Sequence, residues 1–164
     1  MLALLACNTA IYLFAGTLNQ ALDATAWLTL LVLFELETGF AGRYRAGGAA
    51  IAIRGTRLAA AATVIAAATG YFHQNEWLDA VNSGLWITVV VLLEIEVRHR
   101  HAVARRRAWF ALIAATLYAG LGALVLVWAW RREWFDAYDA LLWLTAFAMI
   151  EMDVLQISPR EITV

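Results

Sequence analysis

Three glutamates, Glu35, Glu94 and Glu151, recur at spacings of 59 and 57 residues, each closing an apolar run. Two residues beyond each stands a second acid: Glu37, Glu96 and Asp153. The residues before them also recur. Trp27-Leu-Thr29, Trp86-Ile-Thr88 and Trp143-Leu-Thr145 are each followed by five apolar residues and then the glutamate. A carboxylate in apolar surroundings lacks the water that would stabilise its charge, so it takes up a proton or holds a cation. Cation or proton handling is therefore the first chemistry these residues suggest. Thr29, Thr88 and Thr145 are secondary candidates, since a hydroxyl adds an oxygen ligand. The same hydroxyl can instead bond a carbonyl of its own helix or of a neighbour.

On a helix, residues four apart share a face and residues two apart point about 200° apart. Trp86, Val90 and Glu94 form one stripe, and Thr88, Leu92 and Glu96 another on nearly the opposite side. The other two copies repeat this, so only one acid of each pair can face a common interior. The candidate set is a ring of Glu35, Glu94 and Glu151, with Glu37, Glu96 and Asp153 on the other faces. A competing use of the same acids is plain. Arg98 and Arg100 stand four residues after Glu94 and Glu96, the favoured order for a helical ion pair. Arg43 and Arg45 follow Glu35 and Glu37 at a greater distance, and Glu151 and Asp153 have only Arg160 beyond them.

The elements that must position these residues are membrane helices. The chain has 164 residues, 63% of them apolar, against about 45–50% in soluble domains. A soluble domain of this size could not hide that surface. Crossing about 30 Å of hydrocarbon takes about 20 residues of helix. Six spans fit the apolar runs, at about 3–21, 24–41, 57–74, 80–97, 108–130 and 137–156. The expected fold is an all-α integral membrane protein of six transmembrane helices. They form three tandem helical hairpin repeats, about 1–42, 56–100 and 107–156, in a pseudo-threefold bundle. The whole chain is then one membrane domain, and 157–164 is a short cytoplasmic tail.

Arginine distribution orients the bundle. Arg43, Arg45, Arg54 and Arg57 lie in one connection, and Arg98, Arg100, Arg105, Arg106 and Arg107 in another. Arg131 and Arg132, in the last turn, are offset by Glu133, Asp136 and Asp139. The excess of positive charge inside places both termini in the cytoplasm and the glutamates at the cytoplasmic ends. All 12 basic residues are arginine, which fits a GC-rich bacterial genome and a bacterial inner-membrane location. The outer turns repeat as QALDA, EWLDA and EWFDA. Asp23, Asp79 and Asp136 are expected as N-caps there. Trp77, Trp128, Trp130 and Trp134 fit an interfacial aromatic belt. Ala62, Ala66 and Gly70, like Ala115, Ala119 and Ala123, are spaced for close helix packing.

Cys7 is the single cysteine, so an intrachain disulfide and a cysteine metal cluster are both excluded. No enzyme signature or phosphate-binding loop is present, and the sequence implies no cofactor, no metal and no nucleic-acid partner. The expected partners are the bilayer itself, anionic lipid headgroups at Arg98–Arg107, and further copies or a larger membrane complex. Two functions follow. One is a small cation or proton transporter or channel using Glu35, Glu94 and Glu151. The other is a non-catalytic accessory or scaffold subunit.

Overall fold

The computed structural model describes residues 1–39 and 48–157, and those residues form seven α-helices. They are α1 (Leu2–Ala15), α2 (Leu18–Gly39), α3 (Gly48–His73), α4 (Trp77–Arg98), α5 (Arg100–Arg105), α6 (Arg107–Trp130) and α7 (Trp134–Ile157). Three of the described helices are long and apolar enough to cross a membrane: α3, α4 over Trp77–Glu96, and α6. By length and composition this is a membrane protein. The other three segments expected as spans differ. At 14 residues, α1 rises only about 21 Å. Asn19, Gln20 and Asp23 dilute the apolar character of α2, and the described side chains of α7 end at Met149.

Helix starts differ from expectation for a local reason. The first connection falls at Gly16 and Thr17, inside the segment expected to run from 3 to 21. Thr17 and Gln20 build a capping box: the Gln20 amide donates to Thr17 Oγ1 at 3.2 Å, and the Thr17 amide to Gln20 Oε1 at 2.9 Å. That reciprocal pair satisfies two amide donors and starts α2 at Leu18. The aspartates are therefore not N-caps. Glu76 and Glu133 immediately precede α4 and α7, so Asp79 and Asp136 lie in the first turns, where they still complement the dipole. Asp23 is the sixth residue of α2.

The moved cap has a consequence for the recurring residues. Asp23 to Trp27 is shorter by three residues than Asp79 to Trp86 or Asp136 to Trp143. Yet Trp27, Trp86 and Trp143 each lie nine residues after the first residue of their helix, and Glu35, Glu94 and Glu151 seventeen. The earlier start of α2 restores the common depth.

Two turns share one design. Asn75 (φ 59°) and Arg132 (φ 64°) adopt the left-handed conformation. After α3, the Glu76 amide donates to the Tyr71 carbonyl at 3.0 Å and the Asn75 amide to Phe72 at 3.3 Å. After α6, the Glu133 amide donates to Trp128 at 2.9 Å and the Arg132 amide to Ala129 at 3.1 Å. Both are Schellman closures, which satisfy the last carbonyls of a helix and turn the chain sharply. The link between α1 and α2 is built differently, on Gly16 and the Thr17 cap.

The helices form two compact units, Leu2–Ser83 and the chain from Gly84 onward. In the first, α1 and α3 pack on α2. The buried stripe of α3 is Ala60, Val64, Ala67 and Tyr71, while Ile51, Leu58, Ile65 and Phe72 stand exposed seven residues apart. Small residues face protein and large apolar ones face outward, the arrangement lipid favours. Ala62 and Ala66, expected on the packing face, are exposed. In the second unit α6 packs on α7, its buried residues are Leu121, Leu124 and Trp128, and Ala115, Ala119 and Ala123 are exposed. Trp128, expected in the interfacial belt, is core, whereas Trp77, Trp130 and Trp134 are exposed near helix ends. The basic connection after α4 holds the short helix α5, with Arg105, Arg106 and Arg107 exposed.

Candidate functional site

Glu35 lies near the end of α2 and is exposed. Glu94 is exposed too, and Arg98 Nε donates to its Oε1 one turn further along α4. Side-chain exposures of 72% for Arg98 and 57% for Glu94 put this pair among surface ion pairs, worth about 0.5 kcal/mol or less after solvent screening. Glu96, on the opposite side of α4, is half-buried. The side chains of Glu37, Glu151 and Asp153 lie outside the described residues. Glu35 belongs to the first unit, and Glu94 and Glu151 to the second.

The threonines behave alike. Thr29 donates to the Thr25 carbonyl at 2.7 Å, Thr88 to Gly84 at 2.7 Å and Thr145 to Leu141 at 2.8 Å. Each hydroxyl proton is thus committed one turn back along its own helix. The tryptophan stripe is structural in the second unit. Trp86 is 5% exposed, and its ring stacks on Phe147 of α7 with centroids 4.7 Å apart and planes tilted by 43°. Such a contact adds about 0.5–1.5 kcal/mol beyond the buried area.

A second polar group, which the sequence reading divided among caps and packing, gathers in the first unit near the α3–α4 turn. Its centre is Tyr71, 3% exposed. The α2 face supplies Asn19 and Asp23, four residues and one turn apart. Asn19 Nδ2 donates to the Ala67 carbonyl at 3.0 Å, and Tyr71 Oη donates to Asp23 Oδ2 at 3.4 Å, a long bond. The Asn19 amide lies against Gly70. A methyl there would stand 2.9 Å from Asn19 Cγ, 3.0 Å from Nδ2 and closer still to Oδ1. Glycine leaves room for this close approach, and any larger residue would make the Asn19 side chain shift.

From the other side come Glu76 and Asp79, whose charges act on the Tyr71 phenol together with that of Asp23. Glu76, Asp79 and Ser83 follow one another at spacings of three and four, so they share a stripe of α4. Asn82 borders it. Glu76 Oε2, Asn82 Oδ1 and Ser83 Oγ are buried and have no hydrogen-bond partner among the described residues. The sequence signal was present in the spacing of Glu76, Asp79 and Ser83. It was obscured because an acid at a helix start also serves as a cap.

Among the described residues no group of three histidine, cysteine, aspartate or glutamate side chains is placed to hold a metal ion. No protein-family model, no curated protein and no solved structure matches this chain.

Proposed function

We propose that this protein handles a cation or a proton in a bacterial inner membrane, as a small transporter or channel. Glu35, Glu94 and Glu151 are its working carboxylates. The observation that supports this reading is their common depth. Each glutamate lies seventeen residues after the first residue of its helix. In α2 that depth is kept only because the Thr17–Gln20 cap starts the helix earlier. A conserved distance from the helix start, held against a three-residue shortening after Asp23, favours a role for the depth of the acid. A carboxylate there changes proton or ion occupancy as its surroundings change between water and lipid. Both termini are cytoplasmic in this reading, by the arginine distribution, and the exposed Arg105–Arg107 run meets anionic headgroups.

The test is flux in liposomes, measured with a pH-sensitive dye and with monovalent-cation electrodes. Wild type should exceed empty vesicles, and the triple variant Glu35→Gln, Glu94→Gln, Glu151→Gln should not. Equal flux in wild type and variant would remove these residues from the function.

A second reading is favoured by one specific contact. Glu94 pairs with Arg98 at the surface, so its charge is met without an ion. In that reading the protein is a non-catalytic accessory or scaffold subunit of a larger membrane complex, or a homo-oligomer. Cross-linking in native membranes followed by mass determination separates the two: a fixed heteromeric complex without flux supports the scaffold.

A further inference from the structure

We propose that the Ser83–Gly84 pair is a hinge in α4, a bending point about which the two parts of one membrane-length helix move separately. The inference stands on residues other than the three recurring glutamates, and so goes beyond the function proposed above.

Position is the first reason. α4 is long and apolar enough to cross a membrane over Trp77–Glu96. Yet the chain divides into its two compact units between Ser83 and Gly84, inside that helix. The start of α4 is tied to the first unit, where the Glu76 amide donates to the Tyr71 carbonyl at 3.0 Å. The remainder is tied to the second, where the buried Trp86 ring stacks on Phe147 of α7. A bend at the junction leaves the packing within each unit intact.

The backbone is the second reason. Gly84 is exposed, and a methyl there would meet nothing within 4 Å beyond its own helix. Packing therefore does not call for glycine at this place. At the equivalent places in the other two copies, 59 residues before and 57 after, stand Thr25 and Leu141. Glycine makes a helical turn about fivefold easier to open than alanine does, and a glycine beside a serine is a recurrent site of helix kinks.

Spare hydrogen-bonding groups are the third reason. In the helical ladder the Gly84 amide faces the Ala80 carbonyl, and the Thr88 amide faces the Gly84 carbonyl. A bend at Gly84 parts these bonds. The Gly84 carbonyl keeps a partner, because Thr88 Oγ1 already donates to it at 2.7 Å. Ser83 is 1% exposed and its Oγ has no hydrogen-bond partner among the described residues. The Ala80 carbonyl, three residues back, is within the reach of a serine hydroxyl. An unmet buried hydroxyl is costly, and donation to the freed carbonyl removes that cost in the bent helix. Serine and threonine supply such replacement bonds where membrane helices break.

The test is solid-state NMR of the isotope-labelled full chain in oriented bilayers, which reads the tilt of residues 77–83 and of residues 84–96 separately. In wild type the two tilts should differ by about 20° or more. In Gly84→Leu, which restores the residue type of the α7 copy, they should coincide. Gly84→Ala should lie between, and the double variant Ser83→Ala, Thr88→Val should narrow the difference. A single tilt along the whole of wild-type α4, or an unchanged difference in Gly84→Leu, overturns the hinge. An unchanged difference in the double variant overturns the part given to the hydroxyls. Glu94→Gln should keep both tilts, so loss of flux in that variant leaves the hinge untouched and the two proposals fail separately.

Discussion

Replacing Gly70 by alanine is the sharpest probe of how α2 and α3 meet. Alanine is the better helix former by about 1 kcal/mol, so on an unobstructed helix the change would stabilise. Here the new methyl would lie 2.9 Å from Asn19 Cγ and 3.0 Å from Nδ2, well inside contact distance. Asn19 has a short side chain, and its amide cannot withdraw while it donates to the Ala67 carbonyl at 3.0 Å. Either that bond breaks, costing about 1 kcal/mol, or the helices part, at about 1–3 kcal/mol for overpacking. Set against the helix gain, Gly70→Ala should destabilise by up to about 2 kcal/mol. In an Asn19→Ala background the obstacle is gone, and the same change should be neutral or stabilising by up to about 1 kcal/mol. The double-mutant cycle then gives a coupling of about 2 kcal/mol between the two positions. Reversible unfolding in mixed micelles, followed by circular dichroism, measures all four proteins. A Gly70→Ala variant more stable than wild type by the full helix gain of about 1 kcal/mol, or a coupling near zero, would refute the close approach.

Four further outcomes follow from the same geometry. Thr17→Ala removes one half of the α2 capping box and should cost about 1 kcal/mol, with the loss of helical signal confined to the start of α2 in amide hydrogen exchange. Arg132→Gly relieves a left-handed residue at φ 64° and should stabilise by about 0.5–1 kcal/mol after the flexibility added to the unfolded chain. Asn75→Gly should gain less, because asparagine tolerates that conformation; the reverse order in thermal melts would contradict the turn assignment. Trp86→Ala should cost about 3–5 kcal/mol through loss of its buried ring, whereas Trp77→Ala, 52% exposed, should cost far less when assayed by the same unfolding method. Arg98→Ala should change stability by under about 0.5 kcal/mol, since its pair with Glu94 is solvent-screened; a loss above 1 kcal/mol would show that the pair is shielded from water.

Much of the local structure was legible in the sequence because it depends on neighbours in the chain. Apolar runs of about 18–23 residues dictate helices, the recurring Trp…Thr…Glu frame sets which residues share a face, and glycine or a polar cluster marks each break. The Thr17–Gln20 box and the two Schellman turns are local as well, but their signals were masked: aspartate is as good a cap as threonine, and neither Asn75 nor Arg132 is the glycine that usually marks a left-handed close. The faces chosen for packing were a different matter. A helix in lipid is apolar all round, so periodicity gives no contrast between inside and outside. Only the neighbouring helix decided that Ala60, Val64, Ala67 and Tyr71 face protein while Ala62 and Ala66 do not. The fate of the acids was decided in the same way. Sequence set Glu94 four residues before Arg98 and set Glu76, Asp79 and Ser83 on one stripe. Tertiary structure left the first pair at the surface, and it buried Ser83 and one Glu76 carboxylate oxygen, because burial depends on which helix packs against that stripe and no local spacing encodes it.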